Sequence, residues 1–183
     1  MSEITITAEA TPNPHTYKFN INQEISPEAR NFADASEAGP SPLASKLFGF
    51  PWTESVYLGK DFVSLTKQDW VEWEILTEPL CGLIKEHIEK QEPVLILSDD
   101  NEEDDENDSE EVKLIKRIIK TEIRPQVALD GGDIIFHKYE NQIVSIHMQG
   151  ACAGCPSSSI TLKQGIEARL KQALPEIVEV VAI

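Results

Sequence analysis

Apolar and polar positions alternate from the start of the chain. In "EITITAEA" the alternation puts Ile4 and Ile6 on one face and predicts a strand. Two prolines in "TPNP" break it, and it resumes in "TYKFNI". "SPLASKLF" predicts a short helix with Ser41 as cap and Pro42 at its first position. "ESVYLGKDFVSLT" reads as two strands joined through Gly59, Lys60 and Asp61. In "DWVEWEILTEPLCGLIKEHIEK" the residues Trp70, Trp73, Leu76, Leu80, Leu83 and Ile84 recur at spacings of three and four, which predicts an amphipathic helix. Pro79 and Gly82 are the places where that helix is expected to kink or break.

The pattern then stops. "SDDNEEDDENDSEE", residues 98–111, has ten acidic residues and no apolar one. Such a run is solvated and self-repelling, so it predicts a disordered linker. Beyond it, Val112, Ile115, Ile119 and Ile123 follow helical period, Pro125 predicts a kink, and Gly131-Gly132 supply a stop. "DIIFHKY" and "IVSIHMQ" form a hairpin turned at Glu140, Asn141 and Gln142. "SSITLKQGIEARLKQAL" is a helix with Ile160, Ile166 and Leu170 toward one side; Pro175 ends it, and "IVEVVAI" is a last strand. The fold class is therefore α+β: two small α/β domains, residues 1–97 and 112–183, joined by a disordered acidic linker at 98–111. The order in the C-terminal domain is α-β-β-α-β.

Charge sharpens this division. The formal net charge of the 183-residue chain is -16, distributed as -8 over residues 1–98, -10 over 99–111 and +2 over 112–183. A chain this acidic is a poor match for nucleic-acid phosphates, so no nucleic-acid partner is expected. No run of about 18 apolar residues predicts a membrane span. The first residues, "MSEITITAEATPNP", lack both a basic and an apolar leader region. A cytoplasmic, bacterial setting is expected, or an organellar matrix if the chain is a processed form. Three cysteines, an odd and sparse set, argue for a reducing compartment where thiols act as ligands or nucleophiles.

Two of those cysteines carry the chemistry. In "GACAGCPSSS", Cys152 and Cys155 stand three apart between a strand and a helix. Gly150, Ala151, Ala153 and Gly154 leave the sulfurs uncrowded. Gly150 and Gly154 permit positive φ, and Pro156 suits a first helical position. A helix N-terminus favours thiolates. Three chemistries use such a loop: thiol–disulfide exchange, structural zinc, and an iron–sulfur cluster. Both metal readings need about four ligands, and one chain supplies two. Cys81, among leucines, reads as core packing. His137 and His147 fall on the outer face of the hairpin, opposite Ile134, Phe136, Val144, Ile146 and Met148. His15 and His87 have no partner at ligand spacing. A two-fold dimer would bring two pairs together and complete a set of four thiolates. Ser157, Ser158 and Ser159 read as helix capping, "LDGGD" lacks the ending of a phosphate loop, and no enzyme constellation is present.

"LDGGDI", "GACAGCPSSSITLKQGIE" and "LPEI" together resemble the C-terminal domain of NifU and its Nfu-type relatives. "TPNPHTYKF" and "SPLASKLFGF" resemble the Nfu N-terminal domain, with His15 where asparagine is more usual. The resemblance implies a non-enzymatic iron–sulfur cluster carrier. It implies a homodimer when loaded, holding one 4Fe–4S cluster through Cys152 and Cys155 of each protomer. The cluster would come from an upstream assembly scaffold and pass to client apo iron–sulfur proteins. The first domain is expected to bind no metal and to recognise clients or tune transfer, its acidic surface favouring basic partners.

Overall fold

The alternating segments of the first half pair into one antiparallel sheet. In chain order its strands are β1 (Ile6–Ala10), β2 (Thr16–Ile21), β3 (Arg30–Phe32), β4 (Thr53–Leu58) and β5 (Phe62–Lys67), arranged β1-β2-β5-β4-β3. The computed structural model describes residues 3–97, 106–153 and 156–183, with side chains from residue 160 onward in the last stretch. The chain divides into two units, Met1–Asp99 and Asp100–Ile183, each with its own apolar cluster. No helix among the described residues is long and apolar enough to cross a membrane.

Two helices cover the first sheet. Helix α1 (Pro42–Leu47) starts as its sequence predicts: the Ser41 hydroxyl accepts from the Ala44 amide at 2.9 Å. The same hydroxyl donates to the Val94 carbonyl at 2.6 Å, tying the end of the unit to the helix cap. Helix α2 (Trp73–Glu89) runs unbroken through Pro79 and Gly82. Both lie on its exposed face, where water can satisfy the carbonyl that proline leaves unbonded. Trp70 departs from expectation. The helix begins only after Glu72, and Val71 and Leu76, at the positions of a hydrophobic staple, are both buried. Trp70 therefore lies outside the helical period and is 66 % exposed. Trp73, Leu76, Leu80, Leu83 and Ile84 of α2 pack with Phe19, Phe32, Leu58 and Leu65.

The described part of the second unit begins at residue 106, within the acidic tract. Residues 98–105 of that tract lie outside the described residues. Its end is helical: Ser109 caps α3 (Glu110–Ile118) through Val112, with Glu110 and Glu111 in the first turn. Asp108 pairs with Lys116 at 2.5 Å. Carboxylates that repel one another in a coil are favoured at a helix N-terminus, where unpaired amides point outward. Beyond α3 the chain makes one π-helical turn, Ile119–Ile123, closed by the Arg124 amide on the Ile119 carbonyl, and continues as α4 (Arg124–Leu129). The expected kink at Pro125 is thus taken up by a widened turn. Ile115, Ile119, Ile123 and Val127 are all buried. Three steps of four overrun three turns of helix by about one residue, which is what one widened turn absorbs.

The second sheet is β6 (Gly132–Glu140), β7 (Ile143–Gly150) and β8 (Glu179–Ala182), in that order. Strands β6 and β7 form the predicted hairpin, with Asn141 and Gln142 at φ 52° and 64° as a tight turn of the hairpin hand requires. A bulge at His137 shifts the register, so Tyr139 rather than Lys138 turns to the core opposite Val144. Strand β8 pairs parallel to β7. A parallel pair needs a crossover, and α5 (Pro156–Ala173) is that crossover. Arg169 of α5 clamps Glu122 of the π-turn with two hydrogen bonds, 2.5 and 2.7 Å. Leu170 and Ile166 are buried as expected, but Ile160 is 62 % exposed and Leu162 packs on the core instead. Four residues separate Leu162 from Ile166, and four more Leu170, so the inward stripe begins at Leu162 and leaves Ile160 off the face.

Leu170→Ala should lower the stability of the second unit by about 2–5 kcal/mol, while Ile160→Ala should change it by less than about 0.5 kcal/mol. Urea denaturation of both variants checks this. Equal losses would put Ile160 back in the core.

His87, fully buried on α2, gives the first unit a pH dependence. Its Nε2 stands 3.1 Å from the Pro93 carbonyl and so carries the proton, while Nδ1 lies 3.5 Å from Glu92, beyond hydrogen-bond reach. Burial pushes its pKa down. The folded protein keeps the ring neutral, whereas the unfolded chain protonates it below about pH 6.5. The unfolded state then binds the extra proton, so stability falls as pH drops through that range. Thermal unfolding between pH 7.5 and 5.5 should show a slope that His87→Gln flattens; an identical slope would exclude His87 as its source.

Candidate functional site

The cysteine loop opens where β7 leaves the sheet and the crossover to α5 begins. Two glycines shape the approach. Gly150, the last residue of β7, has φ 61°, and Gly131, which joins α4 to β6, has φ 77°. Both conformations strain any residue with a side chain. The two turns are tied together by the Ala151 amide on the Gly131 carbonyl at 3.1 Å. The amides of Cys152 and Ala153 then fold back onto the carbonyls of Gln149, at 3.3 Å, and Gly150, at 3.1 Å. These short-range bonds set the start of the loop as a turn.

Within that turn Cys152 faces inward. It is 6 % exposed and belongs to the apolar cluster of the second unit, while Ala153 is exposed. Its sulfur rests on Gly132, the first residue of β6, which pairs across the sheet with Gly150. A Cβ at position 132 would lie 2.2 Å from Sγ, 2.9 Å from the Cys152 amide nitrogen and 3.1 Å from its Cβ. Contacts under 3 Å at a Cβ force something to move, so the missing side chain of Gly132 is the space the sulfur occupies. The next residue fixes the strand. Asp133, buried, takes two hydrogen bonds from Arg124 of α4, at 2.8 and 2.7 Å. This fork holds helix and strand on either side of Gly131 and Gly132.

Cys155 and Gly154 lie outside the described residues, so the second expected ligand has no geometry here. In sequence Cys155 directly precedes Pro156, where α5 begins. The other candidates fall apart in space. Cys81 is half-buried against the first unit's core, and burial raises its thiol pKa despite a backbone hydrogen bond at Ala8. His137 and His147 meet edge to face on the outer side of the second sheet, ring centres 4.8 Å apart. His15 pairs with Asp69 at 2.9 Å. Among the described residues no three of His, Cys, Asp and Glu gather as a metal site. Sequence reading had assigned Gly131-Gly132 to a helix stop and missed their second task. The signal was present in "DGGD": one glycine is enough to stop a helix, and the second had no assigned work.

The second unit of this α+β chain thus seats one thiol at the mouth of a β–α crossover, with another cysteine three residues on in the sequence. Residues 115–181 match the NifU-like domain, and residues 6–91 match the N-terminal domain of the scaffold protein Nfu/NifU. Two relatives carry the name NFU1 iron-sulfur cluster scaffold homolog, mitochondrial. The one from Drosophila ananassae is 37 % identical over 176 residues, covering 94 % of this chain and 62 % of its own. The one from Drosophila willistoni is 36 % identical, covering 94 % and 61 %. The chain therefore spans about six-tenths of the length of the curated relatives it matches. The solution structure of a NifU-like protein from Saccharomyces cerevisiae aligns with a TM-score of 0.47 at 24 % identity, over 52 % of this chain and 87 % of that one. With both domains present in order, the chain belongs to the Nfu-type family.

Gly132→Ala should drive the Cys152 sulfur from its seat without unfolding the hairpin. In a background of Cys81→Ser and Cys155→Ser, a disulfide reagent should modify Cys152 about tenfold faster or more once position 132 carries a Cβ. Far-ultraviolet circular dichroism monitors the fold. An unchanged rate would mean that the loop absorbs the clash and that Gly132 does not seat the thiol.

Proposed function

We propose that this protein is an iron–sulfur cluster carrier. Two protomers bind one 4Fe–4S cluster as cargo through Cys152 and Cys155 of each and deliver it to apo-proteins. Family membership supports the class, and the name printed for the relatives, iron-sulfur cluster scaffold, agrees with it. The observation that carries the reading to particular atoms is the seat of Cys152. Gly132 keeps free the space its sulfur needs, ahead of a helix N-terminus that favours the thiolate. Soft thiolates are the donor type that iron–sulfur clusters require, and two per chain make a bridging dimer the economical solution. The cluster is received from an upstream assembly scaffold.

Delivery then proceeds by ligand exchange. A client thiolate forms a bond to iron as the bond from Cys152 or Cys155 breaks, and the departing cysteine leaves as thiolate. No electron changes hands and no general acid or base is needed, so the reading is of a carrier and not of an enzyme. Domain boundaries at 1–97 and 112–183 assign the cargo to the second domain. The relatives' names favour an organellar matrix over the bacterial cytoplasm.

Anaerobic reconstitution with iron and sulfide tests the proposal. Cys152→Ser and Cys155→Ser should each abolish stable cluster uptake, and Cys81→Ser should leave it intact. Loaded protein should run as a dimer by light scattering, because a bridging cluster stabilises only the dimer. Iron and acid-labile sulfide in a loaded monomer would overturn the bridging arrangement. Uptake that survives loss of either loop cysteine would overturn the site.

A further inference from the structure

The first unit carries an exposed apolar pair that its own fold does not account for. Trp70 and Ile75 are each 66 % exposed, among the most exposed large apolar residues of that unit. They stand on either side of Glu72, the residue that opens α2. The other two tryptophans, Trp52 and Trp73, are buried in the core. The staple of Val71 and Leu76 already fixes the angle at which the chain enters the helix. Trp70 and Ile75 are thus surplus to folding, and a tryptophan held in water has an apolar area that binding alone can remove.

The exposed charges along this stretch of sequence are all of one sign, the ammonium of Lys67 just before it being buried over the Trp73 ring. From Gln68 to Ile84 the chain has Asp69, Glu72, Glu74 and Glu78 and no basic residue. Asp69 pairs with His15. Glu72, Glu74 and Glu78 are exposed and form no ion pair among the described residues. The N-terminal end of α2 gives Glu72 and Glu74 a structural reason to be acidic. It gives none to Glu78, in the second turn, and none to the apolar pair. An aromatic and an aliphatic anchor framed by free carboxylates is complementary to a segment with apolar side chains flanked by Lys or Arg.

We propose that the Trp70–Ile75 end of α2 is a docking surface for a basic, amphipathic segment of a partner protein. The apolar pair supplies the anchors, and the three unpaired glutamates set charge and orientation. The proposal goes beyond the carrier reading and does not depend on the cysteine loop, since every residue it uses lies in the first unit.

The test uses the full chain and two synthetic labelled peptides of equal positive charge. One alternates Lys and Leu at helical amphipathic spacing; the other has Ser in place of each Leu. Fluorescence anisotropy measures affinity, and tryptophan emission reports on Trp70, the exposed indole. The Lys/Leu peptide should bind about tenfold or more tightly than the Lys/Ser peptide and shift emission to the blue. Trp70→Ala with Ile75→Ala should abolish that preference, with unchanged circular dichroism because both side chains are exposed. Replacing Glu72, Glu74 and Glu78 with Gln should weaken the Lys/Leu peptide most at low salt, where screening is least. Equal affinity for the two peptides would overturn the proposal, as would an undiminished preference in the double variant. The first result would assign the binding to net charge alone, the second to an apolar surface elsewhere on the chain. Cluster uptake, measured in parallel, should match wild type in every variant, so the carrier reading stands or falls separately.

Discussion

The sulfur of Cys152 occupies the volume that a side chain on Gly132 would need, and the second unit is arranged so that the sulfur has it. A methyl group at position 132 would stand 2.2 Å from that sulfur. The strand must therefore begin on glycine, and the register that places Gly132 opposite Gly150 must hold. A shift of one residue would present Asp133 or Gly131 to the thiol and reverse the inward face of β6. The Arg124–Asp133 fork and the bond between Ala151 and Gly131 hold the two turns in that register. Both act within a few residues of the contact they protect.

Much of this was legible in the sequence because it follows from periodicity. Alternation located β2, β4, β5, β6 and β7, and the Ser41-Pro42 start of α1 followed from capping chemistry. Other features depend on partners that periodicity does not encode. Strand β3 is three residues long, too short to alternate, and exists because β4 has an edge to pair. Trp70 fits the helical spacing of α2 but lies before the helix begins. Ile160 fits the spacing of α5, yet the inward stripe starts at Leu162. The π-turn at Ile119–Ile123 was concealed because apolar residues at every fourth position look like a straight helix. At the site the cysteine pair drew attention at once, while the glycine beneath it did not. A residue whose contribution is an absence of atoms leaves only its letter in the sequence.

Outside the acidic tract the two parts of the chain differ in charge, with a net -8 over residues 1–98 and +2 over residues 112–183. The first unit is acidic with few basic residues, and three carboxylates that form no ion pair among the described residues, Glu72, Glu74 and Glu78, lie along the start of α2. In the second unit, Arg124, Lys116 and Arg169 are committed to Asp133, Asp108 and Glu122. The basic side chains there hold secondary structure together. Those of the first unit are fewer, and Lys18 and Lys67 lie buried over the rings of Phe62 and Trp73. Outside the tract, long-range attraction for basic partners is therefore stronger over residues 1–98 than over residues 112–183.

The topology of the second sheet also sets an order of assembly. Strands β6 and β7 are joined by two residues, so their pairing closes a short loop and forms on the scale of about 1–10 μs. The parallel pairing of β7 with β8 must wait for the whole of α5 to traverse the sheet, a non-local closure that is entropically costlier and slower. Gly132, Gly150 and the turn that seats Cys152 belong to the fast hairpin. The anchorage of α5 by β8 belongs to the slow step. The turn that sets Cys152 over Gly132 can thus form early, while the burial of that thiol, which also draws on Ile166, Leu170 and Val180, waits for the crossover.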